Sequence, residues 1–234
     1  MSEKNYRKYY NELYEIQNQV FAILEGYNFY LTGGTALSRF YLNHRYSDDL
    51  DFFTNEKIDF QKTIKEIKSK FDKKFITEVK SLYQDFAQMF IYDDEFLKKY
   101  EKHFLGKLKI DFVYDIPARI GPLNDFKLFS RVDNPENMLV NKITAISRQA
   151  EKDVVDIVFI CKILNFDWED IINKVRQKDA FEELYLVELL RTFPVKEIKK
   201  IKWIEEIKED DFSKDLETII KDIIIKGRNS LYKK

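Results

Sequence analysis

Residues 30–53 read Tyr30-Leu31-Thr32-Gly33-Gly34-Thr35-Ala36-Leu37-Ser38-Arg39, then Phe40-Tyr41-Leu42-Asn43, then His44-Arg45-Tyr46-Ser47-Asp48-Asp49-Leu50-Asp51-Phe52-Phe53. Asn28 to Thr32 predicts a short strand, the glycine pair a tight turn, and Thr35 to Leu42 a helix facing the core through Ala36, Leu37, Phe40 and Tyr41. The chain has six glycines, and Gly33-Gly34 is their only adjacent pair, so this turn carries more information than most. Asp49 to Thr54 predicts a second strand. Residues two apart on a strand point to the same side, so Asp49 and Asp51 present both carboxylates on one face while Leu50 and Phe52 enter the core.

Upstream, Tyr10, Leu13, Tyr14, Ile16, Val20, Phe21 and Leu24 recur at three- and four-residue steps, which predicts an amphipathic helix from Tyr9 to Leu24 with Gly26 as its stop signal. Downstream, Ile58 to Phe71 predicts a lysine-rich helix. Phe75 to Val79, Asp85 to Tyr92 and Lys107 to Tyr114 predict three more strands, the last with strict alternation. Pro117, Gly121 and Pro122 mark a loop, and helical periodicity then runs from Pro135 to the C-terminus. The expected class is α+β. A mixed sheet flanked by helices occupies residues 1–128, the character of the chain changes near 123–134, and a bundle of about five helices fills 129–234. Pro135 suits a first helical turn, and Pro194 separates two later helices.

Hydrophobic residues at 44% and charged residues at 35% describe a folded chain with a well-solvated surface, and they exclude disorder. Lys and Arg total 40 against 41 Asp and Glu, so any basic surface for nucleic acid is local. A single cysteine, Cys161, excludes an intramolecular disulfide, and no metal-ligand spacing surrounds it. Neither a signal-peptide run nor a membrane-spanning run is seen, so the expectation is a soluble, cytoplasmic protein without a membrane partner. A Walker lysine motif and a GxGxxG turn are both lacking, which removes P-loop NTPases and dinucleotide-binding folds.

Two carboxylates side by side on a strand need a counter-charge, and hard oxygen ligands of this kind suit Mg²⁺ held jointly with substrate phosphates. The strand Leu108-Lys109-Ile110-Asp111-Phe112-Val113-Tyr114 puts Leu108, Ile110, Phe112 and Tyr114 on one side and Asp111 on the other, which makes Asp111 the natural third acid. Three carboxylates around two metal ions can hold an NTP and activate an attacking hydroxyl. At Gly33-Gly34-Thr35 the absent side chains let backbone N–H groups approach a phosphate. Each piece alone also has a plainer reading. Asp49 and Asp51 can be solvated acids at a strand end, and the glycine pair an ordinary turn with Thr35 capping the helix.

The run from Tyr30 to Arg39 followed by His44 to Phe53 closely resembles the AbiEii/AbiGii toxin family of nucleotidyltransferases, in the DNA polymerase β-like superfamily. That family's pattern is a GG-T/S turn opening a helix, an R-x-S-x-D-L-D-F strand, a later strand with a third Asp, and a helical K…R…KD-x-x-D stretch. The third part here is Lys109-Ile110-Asp111-Phe112-Val113. The fourth is Asn141-Lys142-Ile143-Thr144-Ala145-Ile146-Ser147-Arg148 with Lys152-Asp153-Val154-Val155-Asp156-Ile157. The resemblance covers residues 25–165. It implies a nucleotidyltransferase-type sheet and a helical domain that completes the nucleotide cleft. Gly33, Gly34 and Thr35 would contact nucleotide phosphates, Asp49, Asp51 and Asp111 would bind metal, and Lys142 would join them in the catalytic set by contacting the triphosphate. Asp156 or Asp153 would be the acid of the nucleotide pocket. The implied cofactor is Mg²⁺, as one or two ions with Mn²⁺ as a substitute. The implied partners are an NTP, a tRNA or other RNA acceptor, and a cognate antitoxin in a toxin–antitoxin or phage-defence system.

Arg39 has two balanced readings, toward nucleotide phosphate or toward solvent. Arg45 and Ser47 either buttress the carboxylate site or serve as loop contacts. Arg148 fits pairing with an acid of the helical half better than contact with substrate. His44 and His103 have no partners at zinc or triad spacing and read as incidental. Cys161 reads as a buried thiol, and Phe86, Phe90, Phe96 and Tyr100 as core. The lysine-rich segments 57–74 and 221–234 read as solvated faces, with RNA steering as the functional alternative. Two rival functions stay open: nucleotidyl transfer to a small molecule of the antibiotic type, and a catalytically silent partner-binding module of the same fold.

Overall fold

The computed structural model describes residues 3–100, 106–117 and 119–233, so His103 lies outside the described residues. They form two compact units interleaved along the chain: Met1–Ala36, Asp48–Ile116 and Leu123–Asp133 make the first, and Leu37–Ser47, Pro117–Pro122 and Asn134–Lys234 the second. Within the described residues the class is α+β, with a seven-stranded mixed sheet in the first unit.

The first unit opens with α1 (Glu3–Leu24), which begins earlier than the periodicity alone predicts. Its face of Tyr10, Leu13, Ile16, Val20, Phe21 and Leu24 is buried. β1 (Tyr30–Thr32) is followed directly by α2 (Gly33–Leu37), which continues into a π-helical turn over Ser38–Leu42. Asn43 ends that turn in the left-handed region, its N–H bonding the Ser38 carbonyl at 2.8 Å. β2 (Leu50–Thr54) comes next, then α3 (Phe60–Phe71), whose first turn is capped by the Asp59 carboxylate accepting from the Lys62 N–H. β3 (Ile76–Leu82), β4 (Phe86–Tyr92) and β5 (Leu108–Tyr114) occupy the three stretches expected to be strands.

Three elements depart from expectation. α4 (Asp94–Tyr100) packs Phe96 and Tyr100 onto Tyr9 of α1, with ring centroids 5.2 and 5.1 Å apart. β6 (Asn124–Phe126) and β7 (Phe129–Val132) lie where the sequence suggested only a change of character. They add an edge to the sheet, because β7 pairs parallel with β1 and β6 pairs antiparallel with β7.

The strand order is β3-β4-β5-β2-β1-β7-β6, with β2 and β5 parallel at the centre and β1 antiparallel to β2. One face carries Leu50, Phe52, Ala87, Met89, Ile91, Leu108, Ile110 and Phe112, all buried. Phe21, Phe29, Phe52, Phe60, Phe112 and Phe129 interlock there at centroid distances of 5.1 to 6.3 Å. Strand alternation sends Asp51, Asp111 and Gln88 to the opposite face.

The second unit contains α5 (Pro135–Thr144), α6 (Glu151–Ile163), α7 (Trp168–Lys178), α8 (Glu183–Arg191) and α9 (Glu209–Ile224), with 3₁₀ turns at Ile146–Arg148 and Val195–Lys200. Pro135 takes the first turn of α5, and the Asn134 side chain caps it by accepting from the Asn137 N–H at 2.9 Å. Among the described residues no helix is long and apolar enough to cross a membrane.

Candidate active site

Register on the sheet assembles the acids. Thr32 of β1 stands opposite Asp51 of β2, Asp51 opposite Asp111 of β5, and Asp111 opposite Gln88 of β4. Adjacent strands lie about 4.8 Å apart, so this single row brings Asp51 and Asp111 side by side. Asp49 precedes β2 by one residue and stands two positions before Asp51. On β5 the equivalent place, two before Asp111, is filled by Lys109.

The Lys109 ammonium lies 2.9 Å from Asp111 Oδ2 and 3.3 Å from Asp49 Oδ2, bridging acids of neighbouring strands. Gln88 Nε2 donates to the other Asp111 oxygen at 2.9 Å. Asp111 is held on both oxygens and its side chain is 16% exposed, whereas that of Asp49 is 46% exposed and open to a ligand. Partial burial works to lower the Lys109 pKa, but the Asp111 hydrogen bond and the charges of Asp49, Asp111 and Asp51 outweigh it and raise the pKa, so this lysine stays charged.

Gly33 is glycine for two reasons. Its φ is +71°, and a Cβ there would overlap the Asp51 carboxylate, 3.2 Å from its carbon and closer still to Oδ2. The bare backbone therefore leaves room for a site acid. The buried Thr35 hydroxyl donates to the Asp49 carbonyl, tying the helix that follows the turn to the segment carrying the acids. Further along the same row the Thr32 hydroxyl donates to buried Asp133 at 2.6 Å, an acid the sequence did not single out. Tyr10 donates to Asp48 at 2.6 Å and Gln17 to the Asp48 carbonyl at 3.1 Å, fixing the approach to β2 from α1. Phe86 and Phe90 share the Gln88 face and are half-buried, while Phe96 and Tyr100 are in the core as expected.

The helical unit holds a second charged cluster. Lys142 of α5 lies 2.7 Å from both Asp153 and Asp156 of α6. Arg45 clamps Asp156 with two parallel bonds of 2.8 and 2.7 Å, and His44 Nε2 lies 2.9 Å from the same carboxylate. Arg148 bonds Asp153 at 2.8 Å, the structural pairing expected for it. Both acids are buried and engaged by cations, and Asp156 holds Lys142 and Arg45 together with no oxygen turned to solvent.

Burial works to raise the Asp156 pKa, but the charges of Arg45 and Lys142, with hydrogen bonds from Arg45 and His44, hold it well below the usual carboxylate range. Asp153 is likewise lowered, by Arg148 and Lys142 against its burial. His44 is lowered, mainly by burial, so it is the neutral member of the cluster. Three cations against two carboxylates then leave one net positive charge. Lys142 has a side chain 10% exposed, and Arg148, at 60%, is the accessible cation.

By sequence spacing alone His44 has no partner and reads as incidental. Its role depends on Asp156, 112 residues away, and no local spacing signals it. Arg39 sits in the π-helical turn, half-buried, and Ser47 is buried in the segment leading to β2. Cys161 is buried in α6, where burial and then the Asp222 charge push its thiol up and away from reactivity.

Asp49, Asp51 and Asp111 offer hard oxygen donors of the kind Mg²⁺ takes, but among the described residues no group of three or more His, Cys, Asp or Glu side chains is placed to hold a metal ion, and the Lys109 ammonium stands between Asp49 and Asp111. A family model described as nucleotidyl transferase AbiEii toxin, type IV TA system, matches residues 21–224. JHP933 from Helicobacter pylori has a similar structure, with a TM-score of 0.59 and 18% identity over 97% of this chain and 94% of that one. A second H. pylori protein, provisionally assigned as a nucleotidyltransferase, gives 0.58 and 19% over 97% of each chain. Identities this low show a shared fold. Comparison with curated proteins finds no match. The family match spans both the carboxylate strands and the Lys142 helix, and the chain belongs to the AbiEii family of nucleotidyltransferase toxins.

Proposed function

We propose that the protein transfers NMP from an NTP to an acceptor hydroxyl and releases pyrophosphate. The observation that supports this reading is the sheet register, in which Asp51, lying over the Gly33 turn, stands beside Asp111, with Asp49 joined to Asp111 through Lys109. Asp49, Asp51 and Asp111 would hold Mg²⁺, which when bound neutralises phosphate charge and lowers the pKa of an attacking hydroxyl. Gly33 and Gly34 offer backbone N–H groups to the phosphates, and Thr35 keeps that turn tied to Asp49. Gln88 fixes the orientation of Asp111, the acid on the acceptor side. The acceptor oxygen bonds to the α-phosphorus as the bond to the β-phosphate oxygen breaks, with alignment and charge neutralisation supplying the catalysis.

In the helical unit we assign the net positive charge of the Lys142 and Arg148 cluster to anionic substrate groups. Asp153, Asp156, Arg45 and His44 act through those cations. The contacts of Arg39 and Ser47 with nucleotide belong to the same proposal. For the acceptor we favour tRNA or another RNA, because type IV toxin–antitoxin membership places the chain among toxins; that membership also favours a cognate antitoxin as partner.

The test is pyrophosphate release from each of the four NTPs with Mg²⁺, in the presence of total tRNA or of a panel of aminoglycosides, with Asp51→Ala as the control. The proposal expects release with tRNA that is abolished by EDTA and by Asp51→Ala. Release with the small molecules alone would replace the RNA acceptor by the antibiotic-type reading. Release under no condition would favour a silent binding module.

A further inference from the structure

The three acids of the site already have a cation among them, and it belongs to the chain. Lys109 and Asp111 share one side of β5; Asp51 faces Asp111 across the β2–β5 pairing, and Asp49, one residue ahead of β2, meets the Lys109 ammonium, so these four residues form a square in which one corner is positive. The Lys109 ammonium closes that square by bonding Asp111 at 2.9 Å and Asp49 at 3.3 Å. An ordinary surface lysine takes one acid and gains little from it, because two solvated side chains must be ordered for a screened attraction. Lys109 instead links two acids from different strands, both assigned here as metal ligands, and its side chain is only 29% exposed. The oxygens it occupies, Asp111 Oδ2 and Asp49 Oδ2, are oxygens a divalent ion would need.

We propose that Lys109 is a resident counter-cation that must leave the carboxylates when metal binds, so that metal loading is an exchange of cations and not the filling of an open site. The proposal rests on the reading of Asp49, Asp51 and Asp111 as metal ligands. Two consequences follow from the geometry. Without metal, Lys109 keeps three like charges together at tolerable cost. With metal, its hydrogen bond to Asp111 and its ion pair with Asp49 are lost, so the lysine weakens metal binding by the protein alone.

The experiment measures Mn²⁺ binding to nucleotide-free protein by the electron paramagnetic resonance signal of the free ion, for wild type, Lys109→Met, Lys109→Arg and Asp51→Asn. Methionine keeps the length of the side chain and removes its charge. The expected result is that Lys109→Met binds Mn²⁺ about tenfold more tightly than wild type, equivalent to ~1.4 kcal/mol. Lys109→Arg, which retains a cation, should stay within a few-fold of wild type. Thermal unfolding gives a second readout: in EDTA, Lys109→Met should melt below wild type, and added Mg²⁺ should close that gap.

Unchanged or weaker Mn²⁺ binding in Lys109→Met, with Asp51→Asn still abolishing binding, would overturn the exchange and leave the metal site standing. Absence of binding in wild type and Lys109→Met alike would overturn the metal site and the exchange together.

Discussion

Replacing Gly33 by alanine tests the site through its tightest steric constraint. The residue has a φ of +71°, so any L side chain there costs about 1–2 kcal/mol in backbone strain alone. The added Cβ also falls on the Asp51 carboxylate, 3.2 Å from its carbon and inside contact distance of Oδ2, so that acid must rotate or the turn must shift. Gly26 provides an internal control: its φ is +88°, and a Cβ there meets nothing within 4 Å. Both variants carry the backbone cost, and for a protein of this size each kcal/mol lowers the melting temperature by roughly 2–4 °C, so losses of about 2–8 °C are expected for either. Activity should separate them. Displacing a site acid by about 1 Å costs on the order of 10²-fold in rate, so Gly33→Ala should lose that much while Gly26→Ala keeps wild-type turnover. The assays are thermal unfolding and pyrophosphate release at saturating NTP. Equal activity in the two variants would refute the claim that Asp51 over the Gly33 turn is part of the working site.

Two further outcomes concern the helical unit. Asp156→Asn leaves Arg45 and Lys142 buried without their shared carboxylate and should destabilise the protein by about 3–5 kcal/mol in urea unfolding, whereas a loss below about 1 kcal/mol would mean the cluster is not a structural centre. His44 is held below the ordinary imidazole pKa near 6.5, so the folded state takes up its proton less readily than the unfolded chain does. Its stabilising contribution is therefore fully present above that unfolded value and is lost as pH falls through it toward the folded pKa. Unfolding free energies at pH 7.5 and 5.5 should fall more steeply for wild type than for His44→Gln, and equal falls would contradict the assignment.

Much of the first unit was legible because its signals are local. Alternation in Leu108 to Tyr114 and in Asp49 to Phe53 separated the acids from the core before any pairing was known, and parallel pairing of β2 with β5 then set Asp51 opposite Asp111. Lys109 was visible on the Asp111 face, but its bridge to Asp49 depends on strand register, which alternation does not supply. The same holds for Gly33: its turn is legible, and the carboxylate lying over it is not. β6 escaped because Asn124-Asp125-Phe126 is a short polar edge strand, and α4 because seven residues are too few to display a helical period. The π-helical turn at Ser38–Leu42 adds one residue to a hydrogen-bonded loop without changing the composition. In the helical unit, Lys142, Asp153 and Asp156 were singled out from the family pattern, and their mutual ion pairs follow from the packing of α5 on α6. His44 and Arg45 join them only through contacts more than 100 residues away in sequence.

The central claim is that the Asp49, Asp51 and Asp111 face catalyses nucleotidyl transfer, and the most direct measurement is the fate of label from ATP, CTP, GTP and UTP carrying ³²P at the α or the γ position. The account predicts that, with Mg²⁺ and total tRNA, one or more α-labelled nucleotides label the RNA, that their γ-labelled forms release all label as pyrophosphate, and that Asp111→Asn abolishes both signals. Transfer of γ-label to any acceptor, or α-label transfer that survives Asp111→Asn undiminished, would contradict it.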